Sequence, residues 1–389
     1  MHLCLVIGDQ YPPQNHGGVG TYAADLCRYF IDHGHQATCI CRNGTSSNGT
    51  GVESGYIDGV HVLRLSKPLD NFPKRLNSIL YRFRIANLVR RVHKEKNIDI
   101  LEYEDGGGLL SFGKLPNVTK IVRLHATTIY NDYELKRPPS RLMHFFERKA
   151  LSRANFIVSA TDYVARTTLS LLELKREYIR IPLGIDVDLF SPKGDNKIMT
   201  GDILFTGAMA NRKGVYELIV AMKTVIEAHP EAQLYLASPL PQKNQKNEYY
   251  DEVLKQISPE TKAHIRFLGM IPRKELPGLI QRADVCCFPS KSETFGLGII
   301  EAMAMGKAVI YMKKQPGPEI IEDGISGLLC DTFSPVEIAA SINRLLDNPG
   351  LAKELGKNAR LRAITLFDKN ICLSTQLNYY LSIIDARKN

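Results

Sequence analysis

The sequence lacks the features that would carry a chain into or through a membrane. No run approaches the ~18 apolar residues of a spanning helix, and the best candidate, Phe295 to Ile310, is interrupted by Glu301 and Lys307. The first apolar stretch stops at Gly8-Asp9, too early for a signal peptide and suited to a first buried strand. A cytoplasmic protein is expected, soluble or peripheral at the inner face of a membrane. No Cys-x-x-Cys pair occurs among the eight cysteines. Cys39, Cys286 and Cys287 lie in apolar runs where a thiol acts as a small hydrophobe, which suits a reducing compartment. Cys39 and Cys41 lack the second pair that a metal site of this type needs. Long low-complexity stretches are missing too, so disorder is expected only at the ends.

What is present is an ordinary globular composition, 44% hydrophobic and 23% charged, spread over 389 residues. That length suits two α/β domains better than one core. Residues 1–183 hold 25 Lys or Arg against 17 Asp or Glu, a net of +8, while the remainder nets only +1. An anionic partner would be drawn to the basic half; no nucleic acid is expected among the partners.

Short apolar runs alternate with longer amphipathic stretches, the pattern of a parallel sheet covered by helices on both faces. The pattern starts twice. Leu3-Ile7, Ala37-Cys41, His61-Leu65, Ile98-Leu101, Lys120-Leu124 and Phe156-Ser159 read as strands of a first domain. Asp202-Thr206, Gln233-Leu236, Ile265-Leu268, Val285-Phe288 and Ala308-Tyr311 read as strands of a second. Helix-breaking residues from Pro182 to Pro192 form a linker. The spacing thus predicts Rossmann-like domains over 1–183 and 184–371; a C-terminal helix, 372–389, is expected to complete the first. Ligands of such sheets bind beyond the carboxyl ends of the strands, so the strand-to-helix loops should carry the chemistry.

The most informative loop runs from Pro289 to Gly306. It follows the strand Val285-Phe288 and enters a helix near Leu297, placing Thr294, Phe295, Gly296 and Leu297 at a helix N-terminus where free N–H groups and the macrodipole favour an anion. Glu293 in the loop and Glu301 in the helix are eight positions apart, or about 12 Å along a helix, which is comparable with the span of a nucleotide sugar. A carboxylate can grip a vicinal diol. Glu301 stands among Ile299, Ile300, Ala302 and Met303, where an unpaired charge is costly.

This stretch resembles the donor-binding signature of the retaining GT-B glycosyltransferases, in the large group 1 or family 4 class that includes sucrose synthases and bacterial mannosyl- and glucosyltransferases. The resemblance covers almost the whole chain. It implies an α/β GT-B fold of two Rossmann-like domains facing each other across a cleft, a hexosyltransferase activity, and a UDP- or GDP-sugar as co-substrate with no separate cofactor. It also implies that Glu301 binds the ribose hydroxyls while Glu293 meets the transferred sugar, and that the base lies against Met270 and Ile271.

A second loop supports it. Thr206-Gly207 ends a strand and Ala208 to Gly214 leads into a helix near Val215; Lys213 and Gly214 match the Lys-Gly with which the family holds the diphosphate, but Ala208 stands where the family has an arginine. Arg212 is the nearest substitute. The glycine loop around Gly17 and Gly18, opening a helix from Thr21 to His33, lets backbone N–H groups approach a phosphate or sugar and resembles the family's first loop. His125, after the strand Lys120-Leu124, matches a family histidine that points toward the transferred sugar. Catalysis is thus expected from Glu293, His125 and Lys213. Glu102, Glu104 and Asp105 close a strand where acceptors bind, and such an acidic cluster suits an amino sugar.

The donor loops hold no Asp-x-Asp to grip a divalent ion, and the resemblance implies metal independence. Retention of anomeric configuration comes from the resemblance alone. Gly18-Val19-Gly20 also fits a dinucleotide fingerprint, which with Arg42 leaves an NADP-dependent oxidoreductase as an alternative; a non-enzymatic sugar-binding protein is another. Residues Lys74 to Lys96 read as one helix with Leu76, Ile79, Leu80, Phe83 and Val92 on one side and Arg75, Arg82, Arg90 and Arg91 among its cations. That suits contact with an anionic membrane and a lipid-linked acceptor.

Overall fold

The computed structural model describes residues 1–12, 18–42, 51–66, 74–194, 201–239 and 248–388. The chain divides into two compact units, Met1–Ile181 with Leu373–Asn389, and Pro182–Cys372. Among the described residues no helix is long and apolar enough to cross a membrane.

The first unit holds β1 (His2–Val6), β2 (Gln36–Arg42), β3 (Val52–Ile57), β4 (Val60–Leu65), β5 (Ile100–Glu104), β6 (Thr119–Leu124), β7 (Phe156–Ser159) and β8 (Ile179–Arg180), in the sheet order β3-β4-β2-β1-β5-β6-β7-β8. All neighbours are parallel except β3 and β4, a hairpin turned at Asp58-Gly59 with positive φ at both residues, the geometry of a two-residue type I′ turn. Strand β1 is buried along its whole length, which its unbroken apolar run requires in a sheet covered on both faces.

The helix Lys74–Lys96 packs Ile85, Leu88, Val89 and Val92 into the core beside Leu101 and Tyr103. Sequence periodicity put Leu76, Leu80 and Phe83 on the same side as Val92. They are exposed instead, because the helix turns its C-terminal half to the core. Arg82 is also no surface cation: it is buried, with Nε donating to the Gly108 carbonyl at 3.0 Å and its guanidinium 4.2 Å above the Phe146 ring.

One buried ionic network ties the last helix, Lys369–Lys388, into this unit. Glu102 accepts from Tyr22 Oη at 2.6 Å, from Gln376 Nε2 at 3.2 Å and from the Tyr380 hydroxyl. Arg123 donates to Gln376 Oε1 at 2.9 Å and to the Ile181 carbonyl at 2.7 Å, and stacks over Tyr22. Burial pushes the Glu102 carboxyl up, while Arg123 and the three donors pull it back.

The second unit holds β9 (Asp202–Thr206), β10 (Gln233–Ala237), β11 (Ile265–Phe267), β12 (Val285–Cys287), β13 (Ala308–Met312) and β14 (Leu328–Cys330), all parallel, in the order β11-β10-β9-β12-β13-β14. Numbered within the unit this is 3-2-1-4-5-6, the doubly wound order, and it reverses between β9 and β12. Where the chain enters the unit, Ile185 pairs with Asp368: the Ile185 N–H donates to Phe367 O at 2.9 Å and Lys369 N–H to Ile185 O at 2.8 Å. A Cβ on Gly184 would stand 2.4 Å from Lys369 Cα, so only glycine permits this approach.

Candidate active site

Ligands of a doubly wound sheet lie where the strand order reverses. In the second unit that point is flanked by the loops after β9 and β12, and these carry Lys213 and Glu293. Their side chains form a short Nζ–Oε2 ion pair. Burial alone would raise the Glu293 carboxyl, but Lys213, then Arg212, outweigh it and hold Glu293 below the usual carboxylate range.

The two loops are stitched together by backbone. The Arg212 carbonyl accepts from Lys291 N–H at 2.8 Å and from Ser292 N–H at 3.3 Å. Gln315 braces the second loop, donating Nε2 to the Lys291 carbonyl at 2.6 Å and accepting from Glu293 N–H at 3.4 Å. Lys291 itself is tied to Glu217 at 2.6 Å and Asn211 at 2.8 Å. Gly214 has φ +66°, and a Cβ there would lie 1.8 Å from the Pro289 carbonyl oxygen. The loops can meet only because that side chain is missing.

The helix Leu297–Ala304 starts beside this pair, after Gly296 at φ +88°. A Cβ on Gly296 would come within 2.8 Å of the Tyr311 hydroxyl. Gly296 at the cap position has no side chain to offer this N-terminus, where first-turn N–H groups without intrahelical partners suit an anion. Glu301, one turn further along, is 5% exposed and pairs through Oε1 with Arg273 Nη1 at 2.9 Å. Burial raises its carboxyl to about 7 even though Arg273 opposes the shift. Met270 is exposed and Ile271 half-buried, three and two positions before Arg273. Arg212 and Ala208 are both exposed.

In the first unit the order reverses between β1 and β5. Asp105 follows β5, fully buried; its Oδ1 accepts from the N–H groups of His125 at 2.9 Å and Ala126 at 3.2 Å, and its Oδ2 has no partner among the described residues. Burial lifts Asp105 to about 7 and the neighbouring Glu104 to about 8, with Asp105 and Asp9 adding to the latter. His125, after β6, packs its ring 5.0 Å from Tyr22. Burial, then Arg123, lower it to about 3, so the imidazole is neutral at physiological pH.

The sequence matches the family described as glycosyl transferases group 1 over residues 190–362 and glycosyltransferase family 4 over residues 16–189. The chain belongs to the group 1, family 4 glycosyltransferases. It is 22% identical to glycogen synthase of Mycobacterium tuberculosis, across 97% of this chain and 94% of that one. It is 26% identical to D-inositol 3-phosphate glycosyltransferase of Corynebacterium kroppenstedtii, over 57% of this chain and 52% of that one. Sucrose-phosphate synthase from Thermosynechococcus elongatus superposes with a TM-score of 0.83 at 21% identity, covering 99% and 100% of the two chains. HepE from Anabaena, in complex with UDP and glucose, gives a TM-score of 0.74 at 19% identity over 97% and 99%. The fold is therefore GT-B, and the enzyme is a glycosyltransferase that uses nucleotide sugars. Family membership removes the grounds for the NADP-dependent and non-enzymatic alternatives.

Within this glycosyltransferase, Lys213, Arg212, Glu293, Thr294, Phe295 and Gly296 belong to two joined loops of the second unit, and Leu297 and Glu301 to the helix that follows them. Gly17 lies outside the described residues. Gly18 is not a loop residue but opens the helix Gly18–Asp32, where first-turn N–H groups have no intrahelical partner. The acceptor expectation is corrected at Glu102: both its oxygens are spent on Tyr22, Gln376 and Tyr380, which leaves Glu104 and Asp105. The sequence does contain one Asp-x-Asp, Asp186-Val187-Asp188, but Asp186 is held by Lys369 at 2.9 Å and by Leu189 N–H. Arg273 and Gln315 were missed. A charge at Glu301 calls for a cation, yet a partner 28 positions away cannot be chosen from the sequence alone.

Proposed function

We propose that the enzyme is a metal-independent retaining hexosyltransferase taking a UDP-sugar, with a GDP-sugar as the second candidate, to a hydroxyl acceptor in cell-envelope or other glycoconjugate synthesis. The observation that carries this reading is the Lys213–Glu293 pair at the reversal point of the second sheet, beside the uncapped N-terminus at Leu297. Departure of a nucleoside diphosphate needs its growing negative charge offset and the acceptor oxygen aligned. Lys213, Arg212 and the helix N-terminus supply the first. Glu293, kept ionised by those cations, faces the sugar carrying positive charge at its anomeric carbon. Glu301 takes the ribose diol, with the base against Met270 and Ile271. UDP is favoured because HepE, of the same fold, is known in complex with UDP-glucose.

His125 serves as a neutral hydrogen-bonding group for the transferred sugar. Glu104 takes the acceptor, with Asp105 holding the backbone of His125 and Ala126 behind it. Protonated near neutrality, Glu104 donates to hydroxyls, and an ammonium group would ionise it, which suits an amino sugar. A thermal-shift panel of UDP, GDP, ADP and NADP, followed by slow hydrolysis of the matching nucleotide sugars, tests the reading. Stabilisation by UDP with release of free sugar supports it; stabilisation by NADP and by no nucleoside diphosphate overturns it.

A further inference from the structure

We propose that the first unit carries a docking surface for an anionic lipid bilayer, formed jointly by the helix Lys74–Lys96, the loop after Gly106–Gly108 and the helix Arg141–Ser152. The proposal rests on the transfer reading only in making the acceptor lipid-borne. Its apolar part is continuous. The rings of Phe83 and Phe112 are 5.6 Å apart and those of Phe112 and Phe145 are 6.2 Å apart. Leu76, Leu80 and Phe83, spaced at four and three residues, form one exposed stripe, and Leu142 and Phe145 form another, with Phe145 51% exposed. Scattered surface hydrophobes are ordinary, but a contiguous aromatic and aliphatic patch marks an interaction site.

The surface is also rigid. A Cβ on Gly113 would lie 2.5 Å from Ala86 Cβ, and one on Gly108 would lie 2.5 Å from the Phe146 backbone. Loop and helices therefore fit flush. Arg82 pins the Gly107 and Gly108 carbonyls from one helix, and Glu147 accepts from Gly107 N–H at 3.0 Å from the other.

Charge identifies the occupant. Arg141 and Arg148 are exposed on the stripe of Leu142 and Phe145, Lys149 lies 4.3 Å above the Phe112 ring, and Lys114 is exposed on the loop. Between residues 135 and 153 the only acidic residue is Glu147, and it is buried. A rim of cations around aromatic and aliphatic side chains matches anionic head groups over an acyl layer. The exposed carboxylate on these elements, Glu95, stands about three turns beyond Phe83 and is paired with Arg91. A second copy of the same surface would bring like charges together. Because Gly106–Gly108 directly follows Glu104 and Asp105, a bilayer on this surface would present a lipid-borne acceptor next to them.

Co-sedimentation of the full chain with phosphatidylcholine vesicles, with and without phosphatidylglycerol, tests this. The chain should pellet only with the anionic vesicles at low salt and be released by high salt. Arg141→Gln with Lys114→Gln should weaken binding by roughly tenfold or more, and Leu142→Asp with Phe145→Asp should abolish it. Both pairs should leave the melting temperature and vesicle-free donor hydrolysis unchanged. Failure to pellet, unchanged binding by both pairs, or a dimer in solution that Phe145→Asp dissolves would each overturn the proposal. Loss of donor hydrolysis in the parent chain would instead sink the transfer reading and leave the surface standing.

Discussion

Arg273 Nη1 lies 2.9 Å from Glu301 Oε1, and Glu301 still holds its proton up to about pH 7 because its burial outweighs the ion pair. If the ionised carboxylate grips the ribose diol, donor affinity should rise with pH, approaching tenfold per unit below ~7 and flattening above it. Glu301→Gln should remove that dependence. Arg273→Gln should move the inflection upward, since burial is then less opposed. The sign for stability is opposite: a carboxyl raised above its unfolded value stabilises at low pH and loses that contribution as pH rises through about 7. Glu301→Gln should therefore melt higher than the parent at alkaline pH and converge with it in acid. Titration calorimetry and melting curves read the two effects separately.

The two glutamates should separate kinetically. Glu293→Ala is expected to lower turnover by about a hundredfold, ~3 kcal/mol for one charged transition-state contact, whereas Glu301→Ala should mainly weaken donor binding. Near-native kinetics in both variants would remove the site assignment. Lys213→Ala leaves Glu293 without its partner, so the Lys213→Ala, Glu293→Ala cycle should be non-additive by ~1 kcal/mol or more.

At Ala208 the sequence departs from the family arginine, and Arg212 is the exposed cation next to Lys213 whose charge reaches Glu293. Donor affinity and turnover should fall in Arg212→Ala; a rise in Ala208→Arg would instead mark a weakened clamp. A cost below about threefold in Arg212→Ala, under ~0.7 kcal/mol, alongside a crippled Lys213→Ala, would exclude Arg212 as the replacement.

Gly214→Ala should destabilise the second unit by ~2 kcal/mol or more, because the added methyl meets the Pro289 carbonyl at 1.8 Å and the backbone is held at φ +66°. A melting curve and donor affinity should fall together, since both loops must part.

The parallel strands were legible because burial on both faces forces continuous apolar runs, as in β1 and β13, where every residue is buried. Strand β3 was not. At the sheet edge Glu53, Ser54 and Gly55 break any apolar run, and the available cue was the Asp58-Gly59 turn. Strand β14 was not read either, although β11 and β12, also three residues long, were. Lys213 and Glu293 could be found from their loops, while Arg273 could not, since ion pairing across a fold has no sequence period. The helix Lys74–Lys96 shows the limit of periodicity: one amphipathic run served two neighbours, the core near Val92 and the surface near Phe83.

Glu102 reaches Gln376 and Tyr380 across 274 and 278 positions. During synthesis the first unit emerges first, yet this carboxylate waits for donors that arrive with the last helix. Early-made strands must persist with an unfinished polar centre while the whole second unit is translated and folds. The natural order of domain maturation is thereby inverted: the later-made unit can be completed first, and the earlier one closes around residues 373–388. A released chain truncated before Gln376 should accordingly show a protease-resistant second unit beside a first unit still open to cleavage.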